Sequence, residues 1–372
     1  MSFLYENLFK LTWQQVVMWV IGGILIYLAI KKEMEPSLLL PIGFGAILVN
    51  LPVSGAVDQF INGILQEGPL SSLYNAGIAN ELFPLLLFIG IGAMCDFGPL
   101  LSNPALMLFG AAAQFGIFFM LCLGSMFFPI NDAASIATIA AADGPTAIVV
   151  AQKLGSQYLG PIMVAAYSYM ALVPIIQPPI IKLVTTESER KIHMDYEPKN
   201  VSKTTRILFP IIITVVAGLV SPASVSLVGF LMFGNLIKEC GVLDSLNDTA
   251  QDALTNIITL ILGITIASQM QASQFLQVDT LIILGLGLLG FVFDTIGGIL
   301  FGKFLNLFLK KKINPMIGAA GISAFPMSGR IVHKMGLEED NQNFLLMHSM
   351  AVNVSGQIAS VVAGGLILSM FM

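Results

Sequence analysis

The chain has 372 residues, of which 17 are Lys or Arg and 22 are Asp or Glu, so that only 10% of the residues are charged and the net charge is -5. Hydrophobic residues make up 56% of the sequence, whereas soluble proteins average about 25% charged residues. A soluble fold could not hide this much apolar surface. The composition therefore excludes a soluble enzyme and predicts a polytopic protein in contact with a lipid bilayer. We expect no nucleic-acid partner.

Apolar runs long enough to cross a bilayer, about 17 to 25 residues, recur from end to end. No basic segment with a small-residue cleavage site precedes the first run, so we expect no removable signal peptide. Because helices satisfy their own backbone polar groups in lipid, an all-helical bundle of roughly nine to eleven crossings is predicted. The runs are residues 13–30, 37–53, 80–97, 105–129, 160–183, 207–237, 253–268, 279–308 and 343–371.

Two further apolar segments, residues 134–155 and 314–336, are interrupted by Gly, Pro and Ser, and the first also by Asp. They resemble each other at an offset of 181 residues, which places Pro145 on Pro326 and Ser168 on Ser349. Paired interruptions at corresponding positions are the best sequence indication of a transporter-like binding site built from broken helices.

The distribution of basic residues predicts how the two broken units are oriented. Short loops rich in Lys and Arg remain cytoplasmic, and three segments qualify: 31–32, 182–206 and 303–312. Basic residues follow the first broken unit but precede the second. The sequence therefore predicts an all-α polytopic membrane protein with two inverted repeats built on discontinuous helices, and it places the N-terminus outside the cytoplasm.

These patterns divide the chain into five parts. The polar part between the repeats is either a docking surface for a soluble partner or a solvated loop without one. The parts are an N-terminal transmembrane scaffold (1–78), the first repeat (79–183), a cytoplasmic linker (184–206), a connecting transmembrane region (207–251) and the second repeat (252–372).

Asp143 is the most informative polar residue, because it lies in the apolar string AAADGPTAIVV with no basic residue within nine positions. A carboxylate at bilayer depth costs several kilocalories per mole unless it is paired or binds a cation. We expect Gly144 and Pro145 to end a half-helix, so that free carbonyls and a hydroxyl such as Thr146 join the carboxylate in an alkali-cation site. The alternative is a structural Asp that caps a short helix.

Arg330 is the charged residue of the second broken segment, where it follows Ser323 and Ser328. A buried Arg requires a carboxylate or phosphate partner. It could pair with Asp143, bind an anionic group of a substrate, or extend its side chain to the membrane surface.

Four other groups in the broken units are of the kind that surround an ion or receive a proton: Tyr169, Asn314, Gly318 and Asn353. Taken singly, each would usually make an interhelical contact instead. Asp294, in GFVFDTIGG, has no acid at its repeat-equivalent position, and we expect it to be structural or interfacial.

Several long motifs resemble the β subunits of biotin-dependent, sodium-pumping decarboxylases, the family of oxaloacetate, methylmalonyl-CoA and glutaconyl-CoA decarboxylases. The resemblance extends from about residue 80 to the C-terminus. The motifs are DGPTAIVVAQKLG, YSYMALVPIIQPPIIK, INPMIGAAGISAFPMSGR and NFLLMHSM.

The resemblance implies a subunit of a bacterial plasma membrane that decarboxylates carboxybiotin and exports Na+. It also implies an elevator-like fold and a homotrimer of β subunits. A biotin-carrier subunit, a carboxyltransferase α subunit and a small membrane-anchored subunit would be the partners, since this chain has no Ala-Met-Lys-Met biotin-attachment motif.

The family motifs also imply roles for individual residues. Arg330 would guide the carboxylate of carboxybiotin, Tyr169 or a coupled acid would supply the proton consumed, and Asp143 would hold Na+. Matching each motif to this sequence implies catalytic roles for Asp143, Tyr169 and Arg330, and Na+ binding by Asp143, Asn314, Gly318, Ser323 and Asn353.

Two departures from the family pattern bear on the substrate. Ala140 and Ala141 replace an expected Gly-Gly, and Ala351 and Val352 replace a Gly-Pro typical of oxaloacetate decarboxylases. Both favour the CoA-ester branch, with methylmalonyl-CoA ahead of glutaconyl-CoA. The alternative function is a stand-alone, sodium-coupled secondary transporter of a small anion, which would show the same breaks, acid and Arg.

Overall fold

The computed structural model describes residues 7–61, 63–196 and 200–372. The described residues contain eight helices that are long and apolar enough to cross a membrane, or nine if the bent pair Pro69–Ile78 and Leu82–Met94 forms one span. The helix Pro36–Val49 is apolar but has only 14 residues. The predominantly helical fold with several candidate membrane spans is thus confirmed, whereas the number of spans reaches the predicted minimum of nine only if the bent pair is one of them.

The helices are numbered here in chain order. A hairpin, in which Phe60 pairs with Leu65, joins α2 to α3. The elements are α1 Trp13–Lys31, α2 Pro36–Val49, β1 Gln59–Ile61, β2 Ile64–Gln66, α3 Pro69–Leu73, α4 Leu82–Met94, α5 Gly98–Ser102, α6 Met107–Ala113, α7 Phe115–Gly124, α8 Ile130–Ala137, α9 Gly144–Lys153, α10 Leu159–Val184, α11 Glu187–Arg190, α12 Lys203–Val220, α13 Val225–Cys240, α14 Asp244–Thr249, α15 Thr255–Ile266, α16 Ala272–Phe275, α17 Val278–Phe308, α18 Met327–Glu339 and α19 Leu346–Phe371.

Two of the apolar runs differ from the prediction. The run 207–237 was expected to be one crossing, but the chain forms α12 and α13, which are separated by a turn of 3₁₀ helix at Pro222–Ser224. Pro222 lacks the N–H that a continuous helix would need. The run 105–129 is interrupted at Gln114, between α6 and α7.

Both predicted helix breaks are present, although the first is arranged differently from the expectation. After α8 and a 3₁₀ turn at Thr138–Ala141, Ala142 takes a left-handed conformation with φ of 52°. Gly144 and Pro145 then open α9 rather than ending the preceding half-helix. Proline suits the first helical turn, because its missing N–H would have no partner there. In the second segment, a 3₁₀ turn at Pro315–Gly321 precedes α18.

The two breaks meet inside the bundle. The backbone N–H of Ser323 donates to the carbonyl oxygen of Ala141 at 3.0 Å. α17 packs against both breaks: its Gly290 faces Ala140, and its Gly298 lies directly against the backbone of Gly318. In addition, α9 packs on α19 while α18 packs on α10. Each broken unit is therefore covered by the long helix that follows the other.

Ion pairs join the linker to the second basic segment. Lys303 lies 2.9 Å from Glu189, and Lys311 lies 2.7 Å from Asp195. The hydrogen bond from Lys311 lowers the pKa of the Asp195 carboxyl. The described part of the linker up to residue 196 and the segment 303–312 therefore lie on the same face of the bundle, as the basic character of the two segments predicted.

The contact between Gly298 and Gly318 leads to a stability prediction. Gly298→Ala places a Cβ against the backbone of Gly318, and such overpacking typically costs about 1–3 kcal/mol. We expect a lower thermal unfolding temperature in detergent for this variant. Gly285→Ala is the matched control on the same helix, because no atom lies within 4 Å of its added Cβ. Equal unfolding temperatures for the two variants would contradict the packing described here.

Candidate functional site

The carboxylate of Asp143 is the centre of a buried polar cluster. Only 3% of the residue is exposed. It caps α9, because its Oδ1 accepts the backbone N–H of Thr146 at 3.2 Å. Asp143 therefore does have the helix-capping role that the alternative interpretation predicted. Oδ2 accepts three hydroxyl groups, from Thr146 at 2.8 Å, Ser360 at 2.7 Å and Ser323 at 3.3 Å. Capping therefore accounts for only part of the cluster.

Three different parts of the chain supply these hydroxyls. Thr146 belongs to the first break, Ser323 to the second, and Ser360 to α19, where its Oγ lies 2.6 Å from that of Ser323. A hydroxyl can donate or turn its lone pairs to a ligand, because its proton rotates freely. One carboxylate with three neutral oxygens is chemically suited to a hard, singly charged cation.

No cation of the protein itself occupies this position. In the described parts of the chain, none of the ion pairs of Lys, Arg or His includes Asp143. The same residues include no group of three or more His, Cys, Asp or Glu side chains that could hold a metal ion. The oxygen cluster is therefore unlike a site for a transition metal.

A cavity of about 280 Å³ reaches Asp143 between the start of α2, α10, α15 and the second break. It brings together two acids, an Arg and several neutral polar side chains. Its charged and longer polar lining residues are Glu35, Asp143, Tyr167, Arg330 and Gln357.

Arg330 lies in this cavity without forming the ion pair with Asp143 that was one of the predicted possibilities. Its side chain is exposed, and among the described residues it makes no hydrogen bond or ion pair. Glu35 lines the same cavity and interacts with Arg330 only at longer range. The guanidinium is therefore available to an anion that enters the cavity.

Asn353 supports the second break rather than contacting Asp143. Its amide nitrogen donates to the carbonyl oxygens of Ala320 at 3.1 Å and Ile322 at 2.8 Å. Its side-chain oxygen is buried and has no partner among the described residues. Tyr169 is also outside the cluster, because its hydroxyl donates to the carbonyl oxygen of Leu284 on α17.

Asn314 and Gly318 lie in the 3₁₀ segment that precedes the second break. The amide of Asn314 donates to the linker carbonyls of Arg190 at 2.7 Å and Ile192 at 3.0 Å. Gly318 packs against Gly298. In this conformation the structure brings Asp143, Ser323 and Arg330 to one cavity, whereas Na+ binding by Asn314, Gly318 and Asn353 and a catalytic role for Tyr169 stay predictions.

The sequence analysis missed Ser360, Gln357 and Tyr167. A signal for the first two was present, because Asn353, Gln357 and Ser360 are spaced i, i+4 and i+7 and so share one face of an apolar helix. Tyr167 gave no such signal, since aromatic residues are common in buried helices. Its ring packs on Gly144, where a Cβ would collide with it.

Asp294 has the structural position expected for it. It is completely buried, and its Oδ1 accepts the N–H of Ile117 at 3.2 Å near the start of α7. Gly116 allows this approach, because a side chain there would meet the carboxylate. Asp294 thus stabilises the interruption between α6 and α7.

Comparisons with known proteins place almost the whole chain in one family. The family described as Na+-transporting oxaloacetate decarboxylase beta subunit matches residues 14–371. The methylmalonyl-CoA decarboxylase subunit beta of Propionigenium modestum is 48% identical, over 96% of this chain and 94% of that protein. The glutaconyl-CoA decarboxylase subunit beta of Acidaminococcus fermentans is 47% identical, over 96% and 94%.

A third relative extends the comparison to another substrate. The probable oxaloacetate decarboxylase beta chain of Vibrio cholerae serotype O1 is 44% identical, over 98% of this chain and 97% of that protein. The resemblance inferred from the motifs is thus confirmed, and it reaches further towards the N-terminus than residue 80. This chain belongs to the family of Na+-transporting decarboxylase β subunits.

Proposed function

We propose that this chain is the membrane subunit that decarboxylates carboxybiotin and couples the reaction to Na+ export. The observation that carries the proposal is the single cavity that contains both Asp143 and Arg330, two opposite charges that do not pair with each other. A carboxylate left free by the protein suits a cation, and a free guanidinium suits an anionic carboxyl group.

The cavity residues support a decarboxylation step. Arg330 receives the carboxylate of carboxybiotin and draws it away from bulk water, which favours loss of carbon dioxide. Tyr169 or an acid coupled to it then supplies the proton that the biotin nitrogen takes up. Because Tyr169 donates to Leu284 in this conformation, the tyrosine must first break that hydrogen bond.

Na+ is the exported substrate, and Asp143 is its charged ligand. Ser323, Ser360 and Thr146 provide neutral oxygens around it in this conformation. The family resemblance implies three further Na+ ligands, which we propose bind the ion in another conformation: Asn314, Gly318 and Asn353. Coupling requires that Na+ and carboxybiotin prefer different conformations of the cavity, and we propose an elevator-like movement of the two broken units.

An inverted relation between the two units is supported by the contacts of the linker. α10 ends at this linker, whose Arg190 pairs with Glu339 and accepts on its carbonyl oxygen from Asn343 at 2.9 Å. Glu339 is the last residue of α18, and Asn343 lies in the short loop between α18 and α19. The long helices that follow the two breaks therefore run in opposite directions relative to one face of the bundle, as inverted repeats require.

The proposed assembly is a complex in a bacterial plasma membrane. Its other components are a biotin-carrier subunit, a carboxyltransferase α subunit and a small membrane-anchored subunit, with the β subunits forming a homotrimer. The residues at 140–141 and 351–352 favour a CoA-ester substrate of the complex over oxaloacetate, and we propose methylmalonyl-CoA ahead of glutaconyl-CoA.

The role of Asp143 is tested by Asp143→Asn, which keeps the size of the side chain but removes its charge. Losing the charged ligand should raise the Na+ concentration for half-maximal decarboxylation by about 100-fold or more. Asp294→Asn is the matched control, a second buried acid whose replacement keeps an oxygen for the N–H of Ile117. This control should stay within about twofold of the wild type. Unchanged Na+ dependence in Asp143→Asn would refute the assignment.

The role of Arg330 is tested by Arg330→Gln. Because Arg330 has no partner among the described residues, its removal should change the free energy of unfolding by less than about 0.5 kcal/mol. The KM for the carboxylated carrier should nevertheless rise by about 10-fold or more. Lys334→Gln removes the same charge one turn along α18 and should leave KM unchanged. Equal KM values for the two variants would exclude Arg330 as the anion receptor.

Co-purification separates the decarboxylase subunit from a stand-alone transporter. An avidin column should retain the chain through a biotinylated partner when a detergent extract of the native membrane is applied. The retained complex should decarboxylate methylmalonyl-CoA only when Na+ is present. Recovery of the chain solely in the unbound fraction, together with Na+-driven anion uptake by the purified chain, would support the transporter instead.

A further inference from the structure

We propose that Gln357 is a further Na+ ligand, with its side-chain carbonyl oxygen completing the shell of oxygens around Asp143. The inference rests on the proposed export of Na+. It starts from two properties of Gln357: the residue lines the same cavity as Asp143, and its Oε1 is buried without a hydrogen-bond partner among the described residues.

The orientation of the Gln357 amide follows from its contacts with the second break. Its nitrogen donates to the backbone carbonyl oxygen of Ser323 and, at 2.8 Å, to the Oγ of the same residue. A carbonyl oxygen only accepts hydrogen bonds, so the amide nitrogen must be the atom that faces Ser323. The opposite side of the amide, which bears Oε1, is thereby turned away from Ser323.

An unpartnered amide oxygen differs from an unpartnered hydroxyl. A hydroxyl can rotate to donate elsewhere, whereas an amide oxygen has only lone pairs to offer. A buried acceptor without a donor is costly, and native structures usually satisfy such groups with a ligand, an ion or water. The fixed Oε1 of Gln357 therefore has the character of a ligand atom positioned before its ion arrives.

Gln357 is linked to the Asp143 cluster at two points. Ser323 receives the Gln357 amide and donates to Asp143 Oδ2. Ser360 donates to Asp143 Oδ2 and also lies 3.1 Å from the main-chain oxygen of Gln357. Amide carbonyls bind hard cations together with carboxylates. Adding a neutral oxygen preserves the single negative charge that matches a monovalent ion.

A purely structural role for Gln357 makes a different prediction. If the residue only anchors Ser323 through its amide nitrogen, replacing it would lower stability or turnover without a specific change in Na+ binding. A ligand role predicts weaker Na+ binding, with turnover retained once Na+ is saturating. The two roles are therefore separated by the Na+ concentration dependence.

The test uses the purified, complete complex and the variant Gln357→Met. We expect the half-saturating Na+ concentration to rise about tenfold, with turnover at saturating Na+ within about threefold of the wild type. Gln114→Met is the matched control, because Gln114 is equally buried at 3% and also has an unpartnered Oε1, but does not line the cavity. Its half-saturating Na+ concentration should not change.

A second readout does not depend on activity. The unfolding temperature of each complex is measured as a function of NaCl concentration, and choline chloride keeps the ionic strength constant. The Na+ concentration that gives half of the stabilisation should be about tenfold higher for Gln357→Met than for the wild type. If Gln357→Met does not assemble, Gln357→Asn, which keeps a neutral amide but holds its oxygen one methylene further back, should show the same weaker Na+ binding. A wild-type midpoint in whichever of these variants assembles would overturn the proposal. Failure of the proposed function itself would be distinct, because the wild-type complex would then show no Na+-dependent decarboxylation.

Discussion

The architecture depends on keeping one carboxylate away from water inside a membrane bundle. Asp143 is 3% exposed and has no basic partner among the described residues, so its charge has to be balanced by dipoles or by an ion. The protein supplies a backbone N–H and three hydroxyls at 2.7–3.3 Å. Hydroxyl groups suit the site both without and with a bound cation. They donate hydrogen bonds to the carboxylate when no ion is present, and they can turn their lone pairs towards a cation when one binds.

This requirement explains why the helices are broken where they are. A continuous helix would satisfy its own N–H groups and leave none for the carboxylate, whereas the start of α9 presents the N–H of Thr146 to it. Ser323 reaches the same carboxylate because the second break crosses the first, where the N–H of Ser323 donates to the carbonyl oxygen of Ala141. Any movement of one broken unit relative to the other must therefore change the surroundings of Asp143, which supports the proposed coupling of an ion to a reaction.

The same arrangement keeps the carboxylate of Asp143 and the guanidinium of Arg330 unpaired within one cavity. Asp143 lies in the buried interior, while the side chain of Arg330 is exposed and unpaired. If Asp143 and Arg330 formed an ion pair, neither group could bind a separate ligand without first breaking that pair. Glu35 lines the same cavity and interacts with Arg330 only at longer range. The site can thus offer a negative group to a cation and a positive group to an anion within about 280 Å³.

The sequence by itself determined the membrane class, the two interrupted segments, the shared face of the linker and the 303–312 segment, and the family, and it pointed to Asp143, Ser323 and Arg330, which the structure brings to one cavity. These follow from composition, from periodicity and from groups that are costly in lipid, all of which are local properties of the chain. It did not determine that Gly144 and Pro145 begin a half-helix, or that α12 and α13 are separate helices, because a Pro is compatible with both a helix start and a helix end. Only the tertiary structure decided that Ser360 donates to Asp143 and that Gln357 lines the same cavity, while Asn314 and Tyr169 bond elsewhere. Contacts between residues 115 to 217 positions apart depend on how whole helices pack.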